Sequence, residues 1–303
     1  MLPTNQGSFR LFQLAGITVF LHWSWFLVAF YGISRRSGAY SSIAWNVVEY
    51  LSLFVIVLLH EFGHSLACRQ VGGRAEQIVL WPLGGVAYVA PPHRPGATLW
   101  SIAAGPLVNV ALFPLLSAAL MLGRSMGIPP NLDTLLLSLW FINCVLLVFN
   151  LLPIYPLDGG QILRSLLWFV VGPARSLMVA SVIGMVGVAA LIVFAILGRS
   201  VWLGIVAVFI LLNCGRGLLQ ARKMSRMEAA PRHADYACPA CHVNPPRGDY
   251  WTCGKCQKPF DLFQTHGVCP HCGTGYAAYP CMECREVRPM DEWRQMGATP
   301  PHL

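Results

Sequence analysis

The sequence predicts an α-helical polytopic membrane protein of about six transmembrane helices. To these it adds a small membrane-associated β-hairpin and a small cysteine-rich, zinc-binding domain. Three observations carry this expectation. Of 303 residues, 55% are hydrophobic and only 11% charged, whereas soluble domains carry about 25% charged residues. The apolar residues fall in long runs, and the mean hydropathy is +0.56. The composition then changes near "MEAAPRHADY": Cys68, Cys144 and Cys214 precede it, while the other eight of 11 cysteines follow it, all in CxxC pairs. This places a membrane domain at 1–225, a polar linker at 226–236 and a cysteine domain at 237–303. The net charge of +8 does not point to nucleic acid, because basic residues flanking spans raise it without a polyanion partner.

Taken in order, the spans are expected at 17–33, 44–68, 97–122, 132–152, 177–197 and 200–219. The first run, "ITVFLHWSWFLVAFYGI", reads as a retained span, being long for a leader and lacking a small-x-small site. Between the second and third spans, "GGRAEQIVLWPLGGVAYVAPP" has β-branched residues and bounding prolines. It reads as a hairpin or edge strand in which Gly84 and Gly85 allow close backbone approach, or else as a glycine-rich loop. "QILRSLLWFVVG" is too short to cross alone and reads as an interfacial or half-buried helix. With the N-terminus inside, Arg10, Arg69, Arg74, Arg94, Arg164, Arg175, Arg216, Arg222, Lys223 and Arg226 face inward. Arg35, Arg36, Arg124 and Arg199 face outward, and that excess favours both termini in the cytoplasm of a cell with this chain in its inner membrane.

One of the oiliest segments of the chain holds "LLHEFGHSLACRQ". An ionisable side chain there costs roughly 2.5–3.5 kcal/mol, and His60, Glu61 and His64 lie within five positions of one another. The spacing is HExxH: on a helix His60 and His64 share a face and can hold one zinc, with Glu61 beside them as a base. The bland alternative makes the histidines satisfied polar groups of a bundle interior. A catalytic zinc wants a third protein ligand and an open position. Asp158, in "FNLLPIYPLDGGQILRSLL", is the candidate, set between helix-breaking prolines and Gly159-Gly160; alternatively it caps the following helix. Asn109, in "AAGPLVNVALF", can face the same cavity or bond a neighbouring helix.

"HEFGH", "GPLVN" and "NLLPIYPLDGG", in that order, resemble the site-2 protease family of intramembrane zinc metalloproteases, and "LHWSW" and "PLGG" resemble its compact bacterial branch. The resemblance covers about residues 10–220. It implies that His60, His64 and Asp158 ligate one catalytic zinc and that Glu61 is the catalytic base. It further implies that Asn109 and Asn150 help bind substrate, and that the hairpin around Gly84 and Gly85 presents an edge to an unwound, membrane-spanning substrate in the bilayer. Anti-sigma factors, pro-sigma factors and signal-peptide remnants are the substrate classes it suggests. The rival readings are a catalytically inactive scaffold and a metal transporter, each with the cysteine domain binding a partner.

The tail holds Cys238/Cys241, Cys253/Cys256, Cys269/Cys272 and Cys281/Cys284. Eight thiolates make two tetrahedral sulfur sites, structural zinc being favoured over iron. Tandem ribbons, the expected arrangement of a double zinc-ribbon-like domain, would join first with second pair and third with fourth; the alternative, a cross-brace, would join first with third and second with fourth. Trp251, Phe260, Phe263, Tyr276 and Trp293 are expected as the surrounding core. The family often carries nucleotide-sensing or PDZ domains, and a protein partner is expected for the cysteine domain that stands here instead.

Overall fold

The computed structural model describes residues 7–35, 38–81 and 84–293. Arg36, the Pro82 and Leu83 of "PLGG" and the end of the cysteine domain from 294 onward lie outside the described residues. The chain packs as two compact units. One runs to Gly172 and includes Ser176–Leu218; the other comprises Pro173–Arg175 and the chain from Leu219 onward.

In the first unit, among the described residues, five helices are long and apolar enough to cross a membrane: α2 (Ile43–Gln70), α3 (Pro95–Ser125), α4 (Pro130–Leu151), α5 (Asp158–Leu197) and α6 (Val201–Ala229). The segment 17–33, expected as a sixth, divides instead. Its start is strand β2 (Ile17–His22), paired antiparallel with β1 (Ser8–Leu14), and its remainder lies in α1 (Trp25–Arg35). At 11 residues α1 is about 16 Å long, half of a bilayer core of about 30 Å. The reason is visible in the burial: Ile17 and Val19 are fully buried while Thr18 and Phe20 are not, a period of two that suits a sheet.

β2 pairs in parallel with β3 (Arg74–Trp81), from Thr18 opposite Gln77 to Leu21 opposite Leu80. The expected hairpin is β3 with β4 (Gly84–Ala90), and β4 is the edge of a sheet ordered β1-β2-β3-β4. The sheet sits on α2: Ile17, Val19, Ile78 and Leu80 pack with Trp25, Val57 and Phe62 in one apolar cluster. Arg69, in the last turn of α2, donates to the carbonyls of Ala15, Gly16 and Ala75, tying the helix to the β1–β2 turn and to β3. α2 and α3 approach closely, for a Cβ on Gly63 would meet the Ala104 carbonyl. "QILRSLLWFVVG" ends where α5 breaks: the backbone of Gly172 is non-helical (φ 81°, ψ 172°), so α5 comprises two helices, and the first is the short one expected ahead of the span at 177–197.

In the second unit α6 continues to Ala229, inside the segment expected as linker. Beyond it, Trp251, Phe260, Phe263 and Trp293 are buried in one cluster with Tyr236 and Leu262, and Tyr276 packs against it. Two small hairpins, β5 (Trp251–Thr252) with β6 (Pro259–Phe260) and β7 (Ala278–Pro280) with β8 (Val287–Pro289), frame it. The buried Asp261 carboxylate accepts from His233 Nε2 and from the backbone N–H groups of Gly248, Phe263 and Gln264, so both of its oxygens are hydrogen-bonded.

Candidate metal centre

His60 and His64 project from one face of α2, one turn apart, with their rings edge to face and their Nε2 atoms 3.1 Å apart. The first residue of α5 completes the cluster. Asp158 Oδ2 lies 3.0 Å from His60 Nε2 and 3.4 Å from His64 Nε2. Local sequence explains how it reaches them. Pro153 and Pro156 end α4 and turn the chain, and a Cβ on Gly159 or Gly160 would overlap the backbone of residues 151–155. The two glycines therefore let α5 begin tight against the end of α4. Asp158 directs its carboxylate to the histidines, not to a capping role.

α3 supplies what stands behind the rings. Ser101, Gly105 and Asn109 recur every fourth residue and face α2. The Ser101 carbonyl lies 2.9 Å from His64 Nδ1, and Asn109 Oδ1 lies 2.6 Å from His60 Nδ1. Between them a Cβ on Gly105 would overlap the metal-facing edge of His64, so the absent side chain leaves the room in which the cluster sits. Both rings turn Nε2 toward Asp158. A tetrahedral zinc with bonds of about 2.0–2.1 Å sets neighbouring ligand atoms about 3.3–3.4 Å apart, and the observed 3.0–3.4 Å spacings of this buried donor set fit that ion. Outer hydrogen bonds to both ligating rings are the usual support of such a site.

Glu61, next to His60, turns toward the sheet. Its Oε2 accepts from the Ala87 N–H of β4 at 2.9 Å, and a Cβ on Gly85 would overlap its carboxyl group. The close approach expected of the Gly84-Gly85 pair is thus made by Gly85 onto Glu61. Because β3 occupies the other side of β4, the edge facing Glu61 is the unpaired one among the described residues. Asn109, expected at the substrate, has both ends of its carboxamide engaged by neighbours, His60 and the Asn143 side chain. Asn150 is half-buried near the end of α4 and, among the described residues, makes no hydrogen bond to the cluster. Sequence reasoning missed two groups: the Ser101 carbonyl, which leaves no side-chain signal, and Asn143, an amide within an apolar span that could have been flagged on that ground.

The cysteines form two further groups whose pairing is neither tandem nor cross-braced but nested. Cys238, Cys241, Cys281 and Cys284 come together, and Cys253, Cys256, Cys269 and Cys272 form the second group inside that loop. Across the groups Cys238–Cys284 and Cys253–Cys272 Sγ atoms stand 3.8 and 3.5 Å apart. The cause is a returning chain, with the Ala237 N–H donating to the Trp293 carbonyl at 2.8 Å and so closing the first pair on the last. All four pairs are built alike. In each, the residue after the second cysteine donates to the first cysteine's carbonyl, and that residue (His242, Gln257, Gly273 or Arg285) has a left-handed backbone. The backbone N–H of Cys256 and the Tyr276 hydroxyl lower the Cys253 thiol to about 5, and the Thr274 hydroxyl lowers Cys272. Both are thereby biased toward the thiolate that binds metal.

Comparison with known proteins accords with this geometry. The sequence profile of peptidase family M50 matches residues 49–133 and 126–194. The chain is 36% identical over 205 residues to a zinc metalloprotease of Methanocaldococcus jannaschii, covering 67% of this chain and 58% of that one. It is 37% identical over 115 residues to stage IV sporulation protein FB of Bacillus subtilis, covering 37% and 38% respectively. The chain therefore spans less than two thirds of the length of these curated relatives. The solved site-2 protease from Methanocaldococcus jannaschii superposes with a TM-score of 0.51 at 32% identity, covering 70% of this chain and 95% of that chain. With five apolar helices long enough to span and these relatives, this is a multi-pass membrane protein, and the chain belongs to peptidase family M50, the site-2 proteases.

Proposed function

We propose that the protein is an intramembrane zinc endopeptidase, hydrolysing a peptide bond within or near a membrane-spanning helix of its substrate as a step of regulated intramembrane proteolysis. One observation carries this reading: His60, His64 and Asp158 converge within 3.4 Å of one another, with Glu61 held between them and the free edge of β4. His60, His64 and Asp158 would hold the ion. Zinc held there supplies Lewis-acid polarisation of a water and of the scissile carbonyl.

The chain's own groups do the rest. Glu61 takes a proton from the attacking water and returns it to the leaving amine. The N–H of Ala87 fixes the Glu61 carboxylate in the meantime. A helical substrate hides its carbonyls in its own hydrogen bonds, so cleavage requires local unwinding. The edge of β4, beginning at Gly84 and Gly85, offers the extended stretch replacement bonds. Asn150 is a second substrate contact in this reading. Residues 237–303 form a domain held by two structural zinc ions, and it binds a protein, either a substrate tail or a regulator. The Lys/Arg distribution favours the cell's inner membrane, with both termini in the cytoplasm.

Glu61→Gln tests the catalytic reading against its rivals. Cleavage of a substrate helix in proteoliposomes should fall about 10²–10⁴-fold with zinc content unchanged. A metal transporter would tolerate the substitution, and an inactive scaffold would show no cleavage to lose. Deleting 231–303 tests the partner claim: substrate cleavage and partner recovery should fall, and the claim fails if both stay as in the full chain.

A further inference from the structure

We propose that Asn143, on α4, is a positioning residue for the metal site: acting through Asn109, it fixes which nitrogen of His60 carries the proton. The inference rests on the metal centre proposed above and assigns a role to a residue that touches no ligand atom.

The chain of hydrogen bonds has a fixed direction because one end of it is a main-chain group. The backbone carbonyl of Asn109 can only accept. The Asn143 side-chain atom 3.0 Å from it must therefore be Nδ2, which leaves Oδ1 at the other end of that carboxamide. Oδ1 can only accept as well, so the Asn109 atom 2.8 Å from it must be the donor Nδ2. Asn109 Oδ1 is then the atom 2.6 Å from His60 Nδ1, and Nδ1 must carry the proton. Nε2 is left with its lone pair, directed at Asp158 and His64. Asn109 and Asn143 are both fully buried, so water cannot substitute for any link.

The two histidines differ in one respect. His64 Nδ1 faces the Ser101 backbone carbonyl, an acceptor that cannot turn round. His60 Nδ1 faces a carboxamide, which becomes a donor if rotated by half a turn. A rotated Asn109 would donate to Nδ1, drive the proton to Nε2 and block the metal-facing nitrogen. Asn143 removes that alternative, because the rotated amide would set two oxygens against each other. It does for His60 what a main-chain carbonyl does for His64.

The experiment uses full-length protein in nanodiscs and cobalt(II) titration. The ligand-field band of the nitrogen–oxygen site is read apart from the thiolate charge-transfer bands of the tail. Asn143→Leu should weaken cobalt binding at the intramembrane site about 10- to 100-fold, the usual effect of removing an outer partner of a ligating histidine. Asn109→Leu presents no amide to His60 and so cuts the route from position 143, which should lose its influence. Asn109→Leu/Asn143→Leu should then bind cobalt as Asn109→Leu does, even where the Asn143→Leu substitution lowers the thermal midpoint of both proteins that carry it. Equal weakening by Asn143→Leu in the two backgrounds, or no weakening in either, would overturn the proposal. The readout is metal affinity, so it stands whether or not Glu61→Gln abolishes cleavage, and the two readings fail separately.

Discussion

The intramembrane cluster and the cysteine sites are opposite solutions to holding a metal. In the first unit the candidate ligands come from helices α2 and α5, with α3 and α4 supporting the rings, and the supporting groups are buried. In the tail the candidate ligands make up much of the scaffold: four knuckles of one design, two short hairpins and a handful of buried aromatics. The fold makes the site in one region, and the site makes the fold in the other. A helix bundle can afford three ligands and an open position because it does not depend on them. A small domain closes all four positions because metal binding supplies its folding free energy.

That contrast can be broken most severely by removing metal. Structural zinc contributes on the order of 10–16 kcal/mol in small domains. Chelation, or Cys253→Ser with Cys281→Ser, should therefore unfold the tail, seen as loss of the near-ultraviolet dichroism contributed by Trp251 and Trp293 and rapid proteolysis after Ala229. The helical far-ultraviolet signal should persist. Concerted loss of both signals would show that the regions are not energetically separate.

Gly105→Ala probes the same contrast from the membrane side. Its Cβ overlaps the metal-facing edge of His64, and overpacking of about 1–3 kcal/mol should lower zinc affinity there about 10- to 100-fold. Helix content and tail zinc should be unchanged by circular dichroism and metal analysis. A smaller effect is expected of Gly85→Ala, which crowds the Glu61 carboxyl without touching the ligands. Here kcat should fall about tenfold while zinc affinity holds, since the base is displaced and the ion is not. Loss of zinc in this variant would mean that β4 supports the metal as well as the base.

Legibility in the sequence followed the range of the interactions. HExxH was readable because i and i+4 on a helix are neighbours whatever the tertiary fold, and the hairpin around Gly84 was readable from its β-branched residues and glycines. The run 17–33 misled because hydropathy reports removal from water and not what replaces it; a strand buried against α2 and a helix buried in lipid are equally oily. Its alternating burial was carried by Ile17 and Val19, too short a signal against the apolar run that follows. Pairing of four equivalent CxxC units cannot be read from spacing, since the return of Trp293 to Ala237 decides it. Asn143 could be flagged as a lone amide in an apolar span, but its role was illegible because its partner is 34 positions away.

By itself, then, the sequence determined the local chemistry: two imidazoles and a carboxylate on one helix, eight thiols in pairs, and spans apolar enough for a bilayer. Only the tertiary structure decided which distant groups complete each site. It set Asp158 against the histidines, the free edge of β4 against Glu61, a nested order on the cysteines and Asn143 behind Asn109. The physical reason is that ligand type and helical periodicity are properties of neighbouring residues. Metal geometry, edge exposure and hydrogen-bond direction exist only between segments that folding brings together.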